Sequence, residues 1–464
     1  MIIGRERELK SLNERYQSGK FQFLPIYGRR RVGKTTLIKE FIKDKKAIFF
    51  TASESGKNHN LRNLSSAIYE FVSGTVAELS YGSFEAAFDV ILEASKKEKL
   101  VFVIDEYPYL AQSYKAISSI LQIYIDHKFK ETDLFIILCG SSMSFMEYQV
   151  LGYKSPLFGR RTGQLRIEPF GFYESIGFHE GFAPEAKAVV YGITGGIPKY
   201  LEMISDKHTL EQNIISNFLT ADSMLFEEPA NLLKQELREP QRYNDIITAI
   251  ARGSSRMNEI VTKVGMDGFD SSKCNKYLAS LISLGIVKKE QPALSAAGRK
   301  SIYRLKDGMF RFWYRFIPQN MTRIQLGLGE AVFKHILPQI PAYMGEVFED
   351  ICKQWLWRGN IAGSLPFRFQ DCGRWWGANP LRKEEQEIDL LAYCPDRRRA
   401  LFCEAKWTND KIDSRVLDDL VAKSEMFAFE EKHYVLFSKS GFKADAEKRK
   451  SGNVMLVEFR DMTV

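Results

Sequence analysis

Phe21 to Phe41 read FQFLPIYGRRRVGKTTLIKEF, and this stretch decides the fold. A run able to form a buried strand, Phe21 to Tyr27, leads into GRRRVGKT at residues 28–35, and a segment with apolar residues at helical spacing follows. The eight residues match the pattern G-x-x-x-x-G-K-[ST], in the strand–loop–helix context that a phosphate-binding loop requires. We therefore predict an α/β domain with a parallel sheet and a nucleotide site at the end of its first strand.

The residue types of this loop suit a triphosphate. Gly28 and Gly33 let the backbone wrap around an anion with its N–H groups pointing inward. Lys34 would reach the β- and γ-phosphates, and the Thr35 hydroxyl could complete the shell of a Mg²⁺ ion. The sequence leaves open whether the three arginines attract the nucleotide or hold a partner. The predicted nucleotide contacts in the loop are Gly28, Arg29, Arg30, Arg31, Val32, Gly33, Lys34, Thr35 and Thr36.

Length and composition describe a globular protein of more than one domain. The chain has 464 residues, 45% hydrophobic and 27% charged, which is too long for one ordinary core and indicates two or three domains. No uninterrupted apolar run reaches the length of a membrane span, so we expect a cytoplasmic protein with no membrane partner. The six cysteines form no C-x-x-C pair, which favours reduced thiols. A net charge of +8 permits contact with nucleic acid without requiring it.

A second strand signal, Lys99 to Glu106, ends in two acidic residues. The buried run would deliver Asp105 to the edge of the sheet, where it can hold Mg²⁺ through water. Glu106 would then polarise the attacking water as a general base. A solvated acidic turn after a buried strand would look the same, but the phosphate loop lies upstream at the expected distance. We predict catalytic roles for Lys34, Asp105 and Glu106.

These segments together resemble the archaeal-type ATPase family, within the larger group of signal-transduction and AAA-like P-loop ATPases that carry an extra strand between the Walker A and Walker B strands. The resemblance rests on Gly4-Arg5-Glu6-Arg7-Glu8-Leu9, the phosphate loop, Val103-Ile104-Asp105-Glu106, Gly159-Arg160 and Gly195-Gly196-Ile197-Pro198. It implies ATP as the nucleotide, with the Gly4–Glu6 region near the adenine. The chain has no N-K-x-D motif for guanine, which agrees with ATP rather than GTP.

The resemblance also assigns residues beyond a third strand signal at residues 134–139. In that family a polar residue after this strand senses the γ-phosphate, and either Ser141 or Ser142 could fill the role; we take Ser141 as the candidate. Arg160, on a loop further on, could stabilise transition-state charge as an arginine finger. It could equally be one of an ordinary surface pair with Arg161. A finger acting on a neighbouring subunit would require a homo-oligomer.

The middle of the chain, residues 236–328, shows three helical patterns followed by two short strands. Its helices are predicted near residues 243–250, 257–264 and 273–284, and its strands near 285–290 and 301–305. This order predicts a winged helix-turn-helix. Such an element could contact DNA phosphates or serve as a packing module, and the sequence does not decide between them. The basic residues in question are Lys273, Lys276, Lys288, Lys289, Arg299 and Lys300.

Different chemistry is predicted for residues 329–464. Two strands, 387–393 and 400–407, carry Asp389 and then Glu404-x-Lys406, which is the D…(D/E)-x-K constellation of a large nuclease superfamily. Residues 404 and 406 are two apart on a strand and so share a face. Asp389 and Glu404 would bind Mg²⁺, and Lys406 would orient or deprotonate the hydrolytic water. Glu349, on a helix upstream, could add a further carboxylate.

This segment also resembles the domain of unknown function commonly attached to the same ATPase family. The match rests on Phe348-Glu349, Trp375-Trp376, Glu387-Ile388-Asp389 and Glu404-Ala405-Lys406-Trp407. The tryptophan pair could wall the site, stack on a base or simply fill the core. A chance acidic–basic pair on a strand and a nuclease scaffold that only binds both stay open as alternatives.

The predicted architecture is a P-loop ATPase core with a parallel sheet and a helical lid at residues 1–235, a winged helix at 236–328 and an α/β restriction-endonuclease-like domain at 329–464. The predicted partners are ATP or ADP, Mg²⁺ and DNA. We expect an ATPase that carries a Mg²⁺-dependent DNA nuclease domain. The alternative is a nucleotide-controlled switch or scaffold whose C-terminal domain binds nucleic acid without cleaving it.

Overall fold

The computed structural model describes residues 3–76, 78–265, 268–295, 301–380 and 382–463. These form two compact units: one runs to Phe170 and includes Ile197–Lys199, and the other comprises Gly171–Gly196 and the chain from Tyr200 onward. Across these ranges, none of the helices combines the length and the apolar character needed to cross a bilayer. Each of the six cysteines is a buried free thiol, which confirms the prediction of reduced cysteines.

The first unit is built on a five-stranded parallel sheet. Its strands are β1 (Gln22–Tyr27), β2 (Ala47–Thr51), β3 (Val101–Asp105), β4 (Phe135–Gly140) and β5 (Leu165–Arg166), in the order β2-β3-β4-β1-β5. Strand β4 therefore lies between β1, which leads into the phosphate loop, and β3, which ends in Asp105. This arrangement confirms the predicted α/β core and its extra strand. Every residue of β1, β3 and β4 is buried, as the apolar runs in the sequence predict.

Helices flank this sheet. They are α1 (Glu6–Gln17), α2 (Lys34–Ile42), α3 (Lys57–Ser73), α4 (Phe84–Lys97), α5 (Tyr107–Ser113), α6 (Ile117–His127) and α7 (Met143–Phe145). A 3₁₀ turn at Phe129–Glu131 precedes β4, and a π-helical turn at Met146–Val150 follows α7. Helix α2 buries Leu37, Ile38 and Phe41 at helical spacing, so its apolar face fixes the end of the phosphate loop against the core.

The chain then continues as a run of helices and one hairpin. The helices are α8 (Phe172–Ser175), α9 (Pro184–Thr194), α10 (Pro198–Leu201), α11 (Leu210–Phe218), α12 (Met224–Glu236), α13 (Pro240–Ala251), α14 (Met257–Val264), α15 (Ser271–Ser283), α16 (Gly308–Phe316), α17 (Met321–Gln325), α18 (Gly329–Ile336) and α19 (Ile340–Ala362). Strands β6 (Val287–Glu290) and β7 (Ile302–Leu305) pair in antiparallel register. Helices α13 to α15 followed by this hairpin reproduce the predicted element order. Arg299 and Lys300 lie outside the described residues.

A second, separate sheet follows α19. It contains β8 (Asp371–Asn379), β9 (Glu384–Tyr393), β10 (Arg399–Lys406), β11 (Glu431–Ser438) and β12 (Val454–Glu458), in the order β12-β11-β10-β9-β8. Strands β8, β9 and β10 are antiparallel, and β10, β11 and β12 are parallel. Helix α20 (Ser414–Ser424) precedes β11, and α21 (Ala444–Glu447) precedes β12. The order from α19 to β11 confirms the predicted α-β-β-β-α-β succession.

One face of this second sheet packs against α20. Leu417 and Leu420 of the helix are buried with Leu391 and Phe402 of the sheet. Trp375 packs against the same cluster, with its ring 5.0 Å from that of Phe427. Trp375 therefore fills the core, which is the common use of a paired aromatic residue. The domain boundaries 1–235, 236–328 and 329–464 stay predictions.

Candidate functional site

The phosphate loop connects β1 to α2. Gly33 stands immediately before the helix with φ 85°, a backbone conformation that glycine adopts without strain. A Cβ atom on Gly28 would lie 2.3 Å from the carbonyl oxygen of Ile167, so a side chain does not fit at this position either. Both glycines of the motif are therefore required by the local geometry, as the motif predicts.

The lysine of the loop is hydrogen-bonded to the loop backbone. Lys34 is 6% exposed, and its Nζ donates hydrogen bonds to the carbonyl oxygens of Gly28 at 2.8 Å and Arg29 at 2.9 Å. Arg5 supports the loop from the other side, since its guanidinium donates to the carbonyl oxygens of Val32 at 2.9 Å and Glu168 at 2.8 Å. A buried arginine that binds two carbonyl groups restrains the loop before any ligand arrives.

The candidate magnesium ligands of the first unit lie side by side. Thr35 Oγ1 donates to Asp105 Oδ2 over 3.0 Å, and the backbone N–H of Glu106 donates to Asp105 Oδ1, also over 3.0 Å. Asp105 is buried at the end of β3. A hydroxyl and a carboxylate oxygen this close suit Mg²⁺, which prefers oxygen ligands and keeps several waters. The residues present therefore fit the ion that the sequence predicts.

Glu106 contacts the residue that follows β4. Its Oε2 accepts hydrogen bonds from the Ser141 hydroxyl at 2.9 Å and from the Ser141 backbone N–H at 3.3 Å. Of the two serines that the sequence offers, Ser141 is thus the one bonded to the candidate base. Glu106 has φ 51°, an unusual conformation for a non-glycine residue, and it directs the side chain toward β4 rather than along the helix that follows.

Glu106→Gln is expected to lower the kcat for ATP hydrolysis by about 100-fold, because an amide cannot accept the proton of the attacking water. ATP affinity should change by less than about threefold, since the amide keeps the size of the side chain and an acceptor for Ser141. Steady-state phosphate release and equilibrium binding of a fluorescent ATP analogue measure the two quantities. Glu93→Gln, an exposed change on α4, serves as the control. A wild-type kcat in Glu106→Gln would exclude the general-base role.

The other predicted loop residues differ in exposure and in their contacts. Arg29 and Val32 are buried, whereas Thr36 is exposed. Arg30 donates to the Tyr109 hydroxyl over 3.1 Å, so it links the loop to α5. Arg31 adopts φ 69°. The three arginines thus differ in their surroundings although they are adjacent in sequence.

The turn after Gly195-Gly196 also reaches the loop. The backbone N–H of Lys199 donates to the carbonyl oxygen of Arg31 over 3.4 Å. Ile197–Lys199 belong to the first unit, although the residues on both sides of them belong to the second. In the sequence, Gly195-Gly196-Ile197-Pro198 support the family resemblance alone, and the structure adds a contact between the next residue and the phosphate loop.

Arg160 is engaged with its own chain. Its guanidinium donates to Asp126 Oδ2 at 2.6 and 2.9 Å and to the carbonyl oxygens of Pro156 and Phe158. Within the part of the chain that the structure describes, these contacts include no residue of the phosphate loop. The predicted arginine-finger role stays a prediction, and it would require the Asp126 pair to open.

The candidate nuclease residues meet on two adjacent interior strands of the second sheet, β9 and β10. Asp389 and Glu404 are each 7% exposed. Asp389 Oδ2 accepts a hydrogen bond from the Ala405 N–H over 2.9 Å, which joins β9 to β10. Lys406 Nζ donates to Glu404 Oε1 over 2.6 Å. The structure therefore brings together the three residues that the sequence singled out.

Asp389 lies in a β-bulge. Gly373 of β8 pairs with Leu391 of β9, and Trp375 pairs with Ile388. Two residues of β9, Asp389 and Leu390, therefore face the single residue between Gly373 and Trp375. A bulge of this kind turns a side chain away from regular alternation and is common beside active sites. It explains how a residue of a buried strand presents a carboxylate to its neighbour on β10.

Burial and like charge control the ionisation of this cluster. Burial raises the pKa of Asp389 to about 6, and the nearby Glu404 carboxylate adds to the rise. Burial, followed by the charge of Asp389, raises the pKa of Glu349 to about 9. Burial opposes the charge of Lys406, but Glu404 outweighs it and raises the pKa of Lys406. Burial and the repulsion between carboxylates thus oppose the charged forms of Asp389 and Glu349, and a bound cation would favour them.

Asp389→Asn should stabilise the metal-free protein at pH 7.5. An ordinary aspartate has a pKa of about 3.9, so ionising Asp389 costs folding free energy as the pH rises from about 4 to about 6, and the full cost applies above that. The asparagine keeps an acceptor for Ala405 and carries no charge. We expect the free energy of unfolding to rise by about 2 kcal/mol at pH 7.5 and by less at pH 4.5. Thermal unfolding in EDTA at both pH values, with the exposed Asp410→Asn as control, measures the gain; an equal gain at both would contradict the explanation.

Two arginines lie near the carboxyl group of Glu349. Its Oε2 lies 3.6 Å from Arg374 Nε and 4.0 Å from Arg304 of β7. Among the described residues, no group of three or more His, Cys, Asp or Glu side chains is placed to hold a metal ion. Asp389 and Glu404 are thus the pair available to a cation, while Glu349 stays a candidate third ligand that contacts two cations of the protein.

Three cations of this site were not predicted from the sequence. Arg304 and Arg374 flank Glu349, and Lys423 Nζ of α20 lies 4.0 Å from Glu404 Oε2. All three approach from elements distant in sequence, so no local spacing marks them. Trp376, by contrast with Trp375, lines an open pocket. The alternation of side chains along β8 separates the two tryptophans.

The basic residues of the middle segment differ in exposure and in their ion pairs. Lys288 pairs with Glu290 at 2.8 Å and with Asp350 of α19 at 3.3 Å. Lys273 and Lys276 are exposed on α15, and Lys289 is exposed on β6. Lys288 thus helps to pack the hairpin against α19, whereas Lys289 is accessible to a ligand.

Two family models match this chain. A family model described as an ATPase domain predominantly from Archaea matches residues 2–204, and one described as archaeal and bacterial proteins of unknown function matches residues 313–417. An uncharacterized protein of Methanocaldococcus jannaschii is 32% identical over 468 residues, covering 100% of both chains. An uncharacterized ATP-binding protein of the same organism is 46% identical over 46 residues, which are 10% of this chain and 78% of that protein.

A solved structure shares the fold. The Walker-type ATPase of Pyrococcus abyssi covers 68% of this chain and 96% of its own, with a TM-score of 0.53 and 20% sequence identity. At that identity the likeness concerns the fold alone.

Proposed function

This chain belongs to the archaeal P-loop ATPase family, and we propose that it uses ATP to control Mg²⁺-dependent cleavage of DNA by its second sheet. The ATPase activity follows from the family and from the phosphate loop described above. The nuclease activity of the second sheet is our proposal. Two contacts support it most strongly: Asp389, in a bulge, accepts a hydrogen bond from the backbone N–H of Ala405, and the residues on either side of Ala405, Glu404 and Lys406, are bonded to each other.

In the ATPase step, each residue has one task. The N–H groups of residues 28–35 and the Lys34 ammonium would bind the β- and γ-phosphates. Thr35 and Asp105 would hold Mg²⁺, which would neutralise charge that develops on the phosphates. Glu106 would accept the proton of the attacking water, and Ser141 fixes the carboxylate of Glu106 in place.

In the cleavage step, Asp389 and Glu404 would hold a second Mg²⁺, which would offset charge on the phosphodiester. Lys406 would orient the hydrolytic water rather than remove its proton, since its raised pKa keeps the side chain positively charged. Lys423 would limit the motion of the Glu404 carboxylate. We propose that the nucleotide state changes the access of DNA to this site.

Incubation of supercoiled and linear DNA with the full chain tests the proposal. We expect cleavage with Mg²⁺, none with EDTA, and a rate that depends on whether ATP or ADP is bound. Binding is measured separately in EDTA across a range of salt concentrations. Intact DNA at every Mg²⁺ and nucleotide condition would contradict the nuclease assignment.

A second candidate function is a nucleotide-controlled scaffold that binds DNA without cleaving it. The surroundings of Glu349 favour it. Burial raises the pKa of this third candidate ligand to about 9, so it is uncharged near neutral pH, and Arg304 and Arg374 lie 4.0 and 3.6 Å from its carboxyl group. Salt-dependent binding with no cleavage is its expected result. Under either function we propose a cytoplasmic protein, in agreement with six free thiols. A homo-oligomer is the further proposal if Arg160 acts on a neighbouring subunit.

A further inference from the structure

An open pocket of about 500 Å³ is lined in part by β9, the strand that carries Asp389. Its walls come from the β6–β7 hairpin, from the residues that begin α14 and from the paired strands β8 and β9. The residues that matter for its chemistry are Arg256, Lys289, Tyr303, Trp376 and Glu385. A volume of this size is within the range of pockets that bind small organic groups.

The walls of the pocket are fixed to one another. The N–H of Ala293, beyond β6, donates to the carbonyl oxygen of Arg374 on β8 over 2.7 Å. The N–H of Tyr303 donates to the carbonyl oxygen of Ser255, also over 2.7 Å. Arg304 of β7 adds an ion pair with Glu346 of α19 at 2.9 Å. The pocket is therefore preformed rather than assembled by a ligand.

The pocket combines aromatic surface with accessible positive charge. Trp376 is half-buried, so part of its indole ring is available, and Tyr303 forms a buried wall nearby. The Arg256 side chain is 68% exposed and lies 4.0 Å from Glu259. Lys289 forms no ion pair among the residues that the structure describes, and its Nζ lies 6.0 Å from the Tyr303 ring centroid. Aromatic faces beside Arg and Lys are the surface that single-stranded nucleic acids select.

The pocket shares strand β9 with one of the candidate nuclease residues, because Glu385 lines the pocket and Asp389 lies further along the strand. Trp376 pairs across the sheet with Glu387, two residues before Asp389 on β9. Glu385 and Asp389 are four residues apart on that strand, which is about 13 Å along it. A nucleic-acid strand held in the pocket would thus have its neighbouring phosphates near the candidate cleavage site.

We propose that this pocket binds one unpaired nucleotide of a single-stranded nucleic acid, with its base stacked on Trp376 and its phosphates on Arg256 and Lys289. This inference rests on the proposed function and specifies the form of its substrate. An unpaired base is required because a base within a duplex has both faces covered. Glu385, the acidic residue of the lining, would accept a hydrogen bond from the exocyclic amino group of a base such as cytosine.

Fluorescence anisotropy of a labelled deoxycytidine dodecamer with the full chain tests the pocket, in EDTA so that no cleavage occurs. Trp376→Ala should weaken binding by about 10-fold or more, and Trp376→Phe by less than about threefold, because a smaller ring still stacks. Arg256→Ala and Lys289→Ala should each reduce the slope of log K against log salt by about 0.7. Tyr153→Ala and Lys97→Ala, both at exposed positions, are the matched controls.

The binding results distinguish a failure of the pocket inference from a failure of the proposed function. Binding by Trp376→Ala within about twofold of wild type would overturn the inference and leave the proposed function intact, as would equal affinity for a duplex of the same length. A wild-type chain that binds no DNA of either form would remove the proposed function as well. A cytidine ribo-dodecamer measured in parallel distinguishes DNA from RNA, since the oligonucleotide that binds more tightly indicates which of the two is the natural ligand. Far-UV circular dichroism confirms that each variant is folded.

Discussion

Lys34→Ala is expected to lower the kcat for ATP hydrolysis by about 1,000-fold. The Lys34 ammonium group is the cation expected to contact the β- and γ-phosphates, and hydrogen bonds to the carbonyl oxygens of Gly28 and Arg29 hold it at the loop. Its removal takes away a preorganised cation where charge develops in the transition state, and losing one such group costs about 100- to 1,000-fold. The affinity for ATP should fall as well, because the same charge contacts the bound phosphates.

Two measurements separate these effects. Phosphate release at saturating ATP gives kcat, and titration with a fluorescent ATP analogue gives the dissociation constant. Lys39→Ala is the matched control, since Lys39 lies on the same helix and is exposed. Both variants should keep the wild-type circular dichroism spectrum. Hydrolysis by Lys34→Ala at the wild-type rate would show that the loop does not hold the γ-phosphate as described.

Lys406→Ala is the second change with a large expected effect, a loss of Mg²⁺-dependent DNA cleavage of about 1,000-fold. Lys406 Nζ lies 2.6 Å from Glu404 Oε1, so the ammonium group is positioned by the carboxylate that would hold the metal. The alanine would leave the hydrolytic water without the cation that orients it. Among the residues that the structure describes, the ion pair that would remain to Glu404 is the longer one with Lys423.

The initial rate of cleavage of a labelled DNA, measured with Mg²⁺ in excess, provides the comparison. Lys411→Ala is the matched control, because Lys411 follows the same strand and is exposed. Thermal unfolding of both variants tests whether the loss reflects chemistry or a damaged fold. Cleavage by Lys406→Ala at the wild-type rate would remove Lys406 from the mechanism and, with it, the nuclease assignment.

Local patterns in the sequence predicted the elements well. Helix α14 begins and ends at the predicted residues, Met257 and Val264, and the phosphate loop has the predicted strand and helix on its two sides. These features depend on residues close together in the chain, so the spacing of apolar residues in the sequence predicts them. The order of elements around the nuclease-like residues was predictable for the same reason.

Contacts between distant segments were not predictable in this way. The choice of Ser141 over Ser142 depends on the turn that follows β4, and the pairing of Arg160 with Asp126 spans 34 residues of sequence. The different roles of Trp375 and Trp376 depend on the register of β8 against β9. Sequence spacing does not contain such information, because tertiary packing determines which side chains meet.

The extra residue in β9 has a further implication for how such a domain could change over time. Deletion of a single codon at Leu390 would restore unbroken alternation along β9 and turn neighbouring side chains to opposite faces. The sheet could keep its pairing while the carboxylate lost its position, so catalytic capacity and foldability are separable at one point of the chain. Under the proposed nuclease function, relatives without this irregularity are expected to bind nucleic acid without cleaving it.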